Sequence, residues 1–248
     1  MQRYFVKKIN DEIVFESSDI FHIEKVMRMK INDCIEVVFN NELYLAKIIS
    51  FTPVLKVELT EKINNDSELE VYIRLLYCIP KGEKLDLVIQ KATELGVDEI
   101  VLVNSSRCIA KINDNNCFKK IERFNKIIKE ASEQSKRLKL MKLDTIINFD
   151  EINKFNADLS LIAYEKENSS IKKIKDYLEN KEIKSINVLI GAEGGFSEDE
   201  VDYAIKNGFK SISLGKRILR SETACFYLLS LLSYYSEINY EKNIWCFK

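Results

Sequence analysis

The stretch INVLIGAEGGFSEDEVDYAIKNGFKSISLGKRILRSETA, residues 186–224, contains five of the seven glycines in this 248-residue chain. Glycines concentrated in this way are typical of a site where a ligand comes close to the backbone. The apolar run 186–190 predicts a buried strand, and Ser197 with Glu200 has the spacing of a helix capping box. The first half of the stretch therefore predicts a strand, a glycine-rich turn and the beginning of a helix.

The second half of the stretch repeats this arrangement. Residues 211–214 predict a strand, which is followed by Gly215, a basic turn and a helix that begins at about Ser221. Gly208, directly after Asn207, predicts the end of the intervening helix. We expect the two strands to be adjacent, so that both turns lie at the sheet edge where open α/β sheets bind ligands. The stretch lacks the GK[ST] of a phosphate loop and the G-x-G-x-x-G of a dinucleotide fold, which argues against those ligand classes.

Two segments, IGAEGGFSEDE (190–200) and SLGKRILRSETA (213–224), resemble the C-terminal signature of the RsmE family. Members of this family are SPOUT-class methyltransferases with a knotted fold, which use S-adenosylmethionine to methylate N3 of a uridine in small-subunit (16S) ribosomal RNA. The resemblance implies the same fold, cofactor and activity for this chain. It covers nearly the whole sequence, with further matching segments at residues 22–37, 81–100, 105–112 and 123–137.

The chain departs from the family pattern at four positions. Ala192 stands where the family usually has proline, which would fix φ, so we expect a looser first turn. The other departures are Ser106 in place of glutamate, Cys108 in place of serine and Asn32 in place of glycine. None of them removes a residue to which the resemblance assigns a chemical role.

The resemblance implies a bent cofactor between residues 191–195 and 214–220, with backbone groups of both turns facing the adenosine. The last predicted helix carries an apolar stripe that predicts core or a dimer interface, and the resemblance implies a homodimer. The stripe consists of Ala224, Leu228, Leu231, Leu232 and Tyr235. The residues expected to contact the cofactor are Gly191, Gly194, Gly195, Leu214, Gly215, Ile218, Leu219, Thr223 and Ala224.

Methylation of uracil N3 requires loss of its proton, so the site needs a general base or a group that stabilises the resulting anion. The only histidine, His22, lies in the first part of the chain and is expected to pack there. We rank Arg220 first, as an anion-stabilising side chain with several donors, and Glu193 second, as a base. Glu193 and Glu222 are the acids next to the two turns, and each also has a structural interpretation that stays open. Glu193 would fix its own turn, and Glu222 would be a first-turn acid that complements a helix dipole.

The net charge is −1, so an RNA-binding surface must be a local patch. Residues 119–142 contain nine Lys or Arg against three Glu, an excess of +6, whereas residues 1–70 contain nine basic and thirteen acidic side chains. Charge alone fits a solvated face of lysine-rich helices equally well. The basic residues that we expect to contact RNA are Arg3, Arg28, Arg107, Lys136, Arg137 and Arg217.

The composition is that of an ordinary globular protein, with 46% hydrophobic and 31% charged residues. The first residues show no apolar signal segment, and the longest apolar run, residues 224–235, is shorter than the roughly 20 residues that cross a bilayer. The six cysteines are isolated, without a C-x-x-C pair. This pattern predicts reduced thiols, no metal site and a cytoplasmic location.

The polar stretch 61–70 predicts a boundary between two domains, residues 1–68 and 71–248. The first contains a predicted hairpin around Asn40 and Asn41, and the resemblance implies a PUA-like RNA-binding barrel. In the second, strands alternate with helices, which predicts a parallel α/β sheet; the C-terminal trefoil knot is implied by the resemblance alone. The predicted elements are strands 71–79, 99–103 and 158–163 and helices 84–95, 118–138 and 169–180.

Two classes of function remain. The first is an S-adenosylmethionine-dependent methyltransferase that acts as a homodimer on ribosomal RNA or the small ribosomal subunit, with another RNA as an alternative target. The second is a non-catalytic RNA-binding factor of ribosome assembly, in which the two glycine turns are vestigial. Retention of both turns favours the enzyme, because an idle pocket need not keep them.

Overall fold

The computed structural model describes residues 1–82, 84–108, 114–167, 172–178 and 182–246. The chain divides into two compact units, each with its own hydrophobic core. The first unit comprises Met1–Glu68 and Lys129–Leu140, and the second comprises Leu69–Ile128 and Met141–Lys248. Residues 129–140, which the sequence analysis placed in the second domain, thus pack with the first unit.

The first unit is built mainly from short strands. Its elements are β1 (Arg3–Phe5), β2 (Lys7–Ile9), β3 (Glu12–Val14), helix α1 (Ser17–Phe21), a π-helical turn (His22–Val26), β4 (Cys34–Phe39), β5 (Glu42–Ser50) and β6 (Lys56–Ile63). A four-stranded sheet has the order β1-β4-β5-β6, in which β1 is parallel to β4 and the other pairs are antiparallel. Strands β2 and β3 form a separate antiparallel pair.

The predicted hairpin is confirmed between β4 and β5. Asn40 and Asn41 have φ of 52° and 62°, the left-handed pair that a two-residue type I′ turn requires. Asn32, where the family often has glycine, is also left-handed, with φ of 78°. Asparagine tolerates this conformation better than most residues, so it is a conservative replacement for glycine there.

The core of the first unit surrounds the buried ring of Tyr4. Ile23, Ile35 and Ile48 are fully buried beside it. The hydroxyl of Tyr4 lies 2.9 Å from Nδ1 of His22, so the only histidine packs in this unit as predicted. The assignment of this unit as a PUA-like barrel stays a prediction from the resemblance.

The second unit is an α/β sandwich around a parallel sheet. Its strands are β7 (Tyr72–Cys78), β8 (Glu99–Asn104), β9 (Lys142–Asn148), β10 (Leu159–Ala163), β11 (Ser185–Ile190) and β12 (Lys210–Ile212). Its helices are α2 (Lys84–Glu94), α3 (Asp114–Gln134, the end of which belongs to the first unit), a 3-10 turn (Phe149–Lys154), α4 (Lys172–Leu178), α5 (Glu198–Lys206) and α6 (Ser221–Cys246).

The sheet of the second unit has the order β12-β10-β11-β7-β8-β9, and every neighbouring pair is parallel. This confirms the predicted parallel α/β fold. The central strands are mostly apolar because helices cover both faces of such a sheet, and residues 186–190, including the polar Asn187, are all buried. The trefoil knot stays a prediction.

Three details of the second unit differ from the sequence prediction. Strands β11 and β12 are not adjacent, because β10 lies between them; sequence order alone does not fix strand order. Strand β9 was not predicted, because it lies at the sheet edge and four of its seven residues are polar or charged. Helix α3 ends at Gln134, before Lys136, which has a left-handed φ of 63°. The ends of the predicted helix 169–180 lie outside the described residues.

Among the described residues, no helix is long and apolar enough to cross a membrane. Within the same part of the chain, no group of three or more His, Cys, Asp or Glu side chains is arranged to hold a metal ion. Cys34, Cys78, Cys108 and Cys225 are free thiols, and the last three are buried.

Candidate functional site

A cavity of about 430 Å³ lies in the second unit beyond the carboxyl ends of β10, β11 and β12. Three loops line it: residues 163–165 after β10, residues 190–196 after β11 and residues 213–221 after β12, with Ala224 of α6. This is the position at which open α/β sheets bind ligands. The two glycine turns therefore meet at one site, as predicted, although strand β10 lies between β11 and β12.

The first glycine turn is closed by its own backbone. The amide of Gly195 donates to the carbonyl oxygen of Ala192 at 2.9 Å, and Gly195 has a left-handed φ of 64°. Helix α5 begins directly afterwards with the predicted capping box: Ser197 Oγ accepts from the Glu200 amide at 3.2 Å, and a Glu200 carboxylate oxygen accepts from the Ser197 amide at 2.9 Å. The turn and the helix start thus form one hydrogen-bonded unit.

Each of the three glycines in this turn lies against a different neighbour. A Cβ at Gly191 would lie 3.3 Å from the Gly195 backbone. A Cβ at Gly194 would lie 3.1 Å from Arg107 Cβ, and one at Gly195 would lie 3.0 Å from Glu165 Oε1. All three distances are shorter than ordinary van der Waals contact. The close packing explains why one turn requires three glycines.

The loop after β8 holds the first turn from the outside. Arg107 Nη1 donates to the carbonyl oxygen of Gly194 at 2.8 Å, and the amide of Ser106 donates to Glu200 Oε1 at 2.7 Å. Within the loop, Ser105 Oγ and Cys108 Sγ are 3.1 Å apart. Arg107, which was predicted to contact RNA, is exposed, but at least one of its N–H donors already binds the turn.

The second turn is tied to the first through the beginning of α6. The hydroxyl of Ser221 donates to the carbonyl oxygen of Gly191, so it accepts the bond from the hydroxyl of Tyr77, which lies 2.8 Å away. The carbonyl oxygen of Arg220 accepts the first helical bond, from the amide of Ala224, at 2.8 Å. Arg220 is therefore placed at the helix start, next to the joint between the two turns.

Glu193 is held by neighbouring donors. Its Oε1 lies 3.2 Å from Lys84 Nζ, and its Oε2 accepts from the amide of Lys81 at 3.2 Å. Burial acts to raise the pKa of Glu193, but the backbone amides and Lys84 outweigh it, so the pKa is lowered. Lys84 also lies 3.4 Å from Glu222. A carboxylate that is paired and has a lowered pKa is a weak base.

Arg217 and Arg220 line the cavity with exposed side chains. Neither guanidinium forms a hydrogen bond or an ion pair with another described residue, so both can donate to a ligand. Of the residues predicted to contact the cofactor, Thr223 is exposed and does not line the cavity. The others do line it: Gly191, Gly194, Gly195, Leu214, Gly215, Ile218, Leu219 and Ala224.

The third loop was not predicted from the sequence, and it contributes Tyr164 and Glu165 to the cavity. Strand 158–163 was predicted, but nothing in the sequence said that it lies between the two signature strands. Loops at the carboxyl edge of a parallel sheet converge, so knowledge of the strand order would have identified Tyr164 and Glu165 as cavity residues.

Two of the predicted RNA contacts belong to the fold of the first unit. Arg3 is 3% exposed and its Nε lies 2.8 Å from Glu36; Arg137 is 2% exposed and its Nη2 lies 2.8 Å from Glu68. A phosphate cannot reach a guanidinium that is buried and paired, so we withdraw both residues from the candidate RNA contacts. Arg28 is exposed, with a left-handed φ of 51°.

The basic stretch 119–142 is divided between the two units, and part of its charge is neutralised. In the first unit, Lys136 is half-buried and lies 3.2 Å from Glu36. In the second unit, Lys119, Lys120 and Lys126 are exposed, and none forms an ion pair with a described residue. Ion pairs in this stretch join Arg123 to Asp86, Lys129 to Asp19, Lys136 to Glu36 and Arg137 to Glu68.

Known proteins with similar sequences are RNA methyltransferases. Residues 67–233 match the model of the RNA methyltransferase domain family. The chain is 32% identical over 256 residues to the ribosomal RNA small subunit methyltransferase E of Bacillus subtilis strain 168, covering 96% of this chain and 98% of the relative. It is 35% identical over 233 residues to the protein of the same name from Mesomycoplasma hyopneumoniae strain 232, covering 93% and 98%.

A solved structure has the same fold over nearly the whole chain. It is a ribosomal RNA small subunit methyltransferase E from Neisseria gonorrhoeae bound to S-adenosylmethionine, with 26% identity and a TM-score of 0.83, covering 94% of this chain and 97% of that one. The shared fold and the match to the domain family thus show that this chain is an RNA methyltransferase by class. Within it, this chain belongs to the ribosomal RNA small subunit methyltransferase E family, which confirms the resemblance to RsmE.

Proposed function

We propose that this protein transfers a methyl group from S-adenosylmethionine to N3 of a uridine in small-subunit ribosomal RNA. The observation that carries the proposal is the cavity itself, in which both signature turns meet beside two arginines that have no partner among the described residues. Family membership supports the reaction class.

The residues of the cavity fit the cofactor. Glycine turns leave backbone groups accessible, and a Cβ at Gly195 would crowd Glu165 at the cavity wall. Leu214, Leu219 and Ile218 supply apolar surface for an adenine ring, and Ile218 is 87% exposed at the cavity. These residues would hold the adenosine part.

When bound, S-adenosylmethionine supplies a methyl group that is already activated for transfer. The protein must align the acceptor and help N3 lose its proton. Arg220 is the best candidate for favouring loss of the N3 proton, because its guanidinium lies at the cavity and offers several donors to the oxygens of a uracil anion. Glu193 is a poorer candidate for the base, because Lys84 and two amides already engage it. In this proposal the N3 proton passes to solvent while Arg220 stabilises the anion.

Substrate binding and assembly are further parts of the proposal. Ribosomal RNA implies a cytoplasmic protein, and the exposed Arg28, Arg107 and Arg217 are the remaining candidates for phosphate contacts. Helix α6 exposes Tyr227 and Tyr234, which are 38% and 66% accessible and lie two turns apart on one face. Large exposed tyrosines of this kind support a homodimer interface on α6.

The proposal is tested by incubating the purified protein with small ribosomal subunits from a strain that lacks it and with S-adenosylmethionine labelled in the methyl group. We expect labelled 3-methyluridine in the digested rRNA with the parent and almost none with Arg220→Ala. Cofactor binding without any transfer, on subunits and on free RNA, would favour a non-catalytic assembly factor. Label in another nucleoside would reassign the target.

A further inference from the structure

Glu165 occupies a distinct place in the cavity. It follows β10 directly in the third loop, and its side chain is exposed at the cavity wall. Its carboxylate oxygens lie 3.0 Å and 3.3 Å from the position that a Cβ would take at Gly195. The carboxylate therefore lies against the left-handed residue of the first signature turn.

Glu165 is also the acid of this cavity that has no internal partner. The charged residues that line the cavity are Glu165, Glu193, Arg217 and Arg220. Glu193 is neutralised by Lys84, as described above. Lys166, the cation next to Glu165 in the sequence, instead lies 3.2 Å from Glu198. No described residue forms a hydrogen bond or an ion pair with Glu165.

An unpaired carboxylate in a ligand cavity suits a cationic ligand group. S-Adenosylmethionine carries two positive groups, the sulfonium and the α-ammonium, on its methionine part. We infer that Glu165 is the anionic contact that receives this cationic part and so positions the methyl group. This inference rests on the proposed function, since it takes S-adenosylmethionine as the ligand.

The inference has a consequence for the product. S-Adenosylhomocysteine keeps the ammonium but has lost the sulfonium charge. If Glu165 faces the sulfonium, it favours the substrate over the product and helps the product to leave. If it faces the ammonium, it binds both molecules equally.

Calorimetry with the full-length protein tests the inference without any measurement of activity. Glu165→Gln keeps the size of the side chain and removes its charge. We expect it to weaken S-adenosylmethionine binding by about tenfold or more, the size of loss expected when one contact between opposite charges is removed. Glu198→Gln is the matched control: it removes the same charge from an exposed side chain that does not line the cavity, and it should bind like the parent.

The same titration with S-adenosylhomocysteine separates the two cationic groups. A loss for the substrate alone assigns Glu165 to the sulfonium, and an equal loss for both molecules assigns it to the ammonium; either result supports the inference. Unchanged affinity of Glu165→Gln for both molecules, or an equal loss in Glu198→Gln, would overturn it. A parent protein that does not bind S-adenosylmethionine would instead contradict the proposed function.

Discussion

Replacing Gly195 by alanine tests whether the first signature turn forms the cofactor site. Gly195 has a φ of 64°, a region that glycine enters freely and alanine enters at a cost of about 1–2 kcal/mol. The new Cβ would also lie 3.0 Å from Glu165 Oε1, so the carboxylate must move by a few tenths of an ångström. The first effect lowers the stability of the fold, and the second changes the cavity.

Gly208 provides the control that separates these two effects. It ends helix α5 with a φ of 89°, and no heavy atom lies within 4 Å of the Cβ that alanine would add. It does not line the cofactor cavity. Gly208→Ala should therefore show the same backbone penalty as Gly195→Ala, about 1–2 kcal/mol in the free energy of unfolding, without a change at the site.

The two variants are compared by urea denaturation and by calorimetry with S-adenosylmethionine. We expect similar losses of stability, but an affinity reduced by about tenfold or more in Gly195→Ala alone, equivalent to at least about 1.4 kcal/mol. If Gly195→Ala binds the cofactor as tightly as Gly208→Ala does, the turn is not part of the cofactor site and the reasoning is wrong.

Three further predictions concern catalysis, RNA and pH. Arg220→Lys should lower single-turnover methylation by about 100-fold and leave cofactor affinity nearly unchanged, because lysine keeps the charge but loses the planar fork; intact turnover would make Arg220 a structural residue. Reversing the exposed Lys119 and Lys120 to glutamate should weaken RNA binding and flatten its salt slope by about 2, whereas an unchanged slope would indicate a solvated face. Burial raises the pKa of Glu133 to about 7 from 4.5. Below pH 4.5 the carboxyl is neutral in both the folded and the unfolded chain, and the folded state has its full stability. As the pH rises from 4.5 through 7, the unfolded chain ionises first, so stability is lost. Urea denaturation should therefore show Glu133→Gln more stable than the parent at pH 8, by at most about 3 kcal/mol, and equally stable at pH 4, and equal stability at both pH values would refute this.

Much of the second unit was predicted from the sequence, because its strands, helix starts and turns are marked by short runs of neighbouring residues. Strand β11 is mostly apolar, and the capping box at Ser197 places the beginning of α5 correctly. The family signature then predicted the two turns that line the cavity. These features depend on neighbours within a few residues, which a single sequence contains.

Long-range features were not predicted. The insertion of β10 between the signature strands brings Glu165 to Gly195, and these residues are thirty positions apart. Likewise, the pairing of Arg3 with Glu36 and of Arg137 with Glu68 converts two apparent RNA ligands into buried structural residues. Charge in the sequence identifies a basic side chain, but only the packing shows whether an acid already neutralises it.

The central claim is that this chain methylates N3 of a uridine in small-subunit ribosomal RNA. The most direct measurement is mass spectrometry of nucleosides from the small-subunit rRNA of a strain that lacks the protein. We predict that 3-methyluridine disappears and is restored by the parent gene but not by Arg220→Ala. Undiminished 3-methyluridine in the deletion strain would contradict the claim.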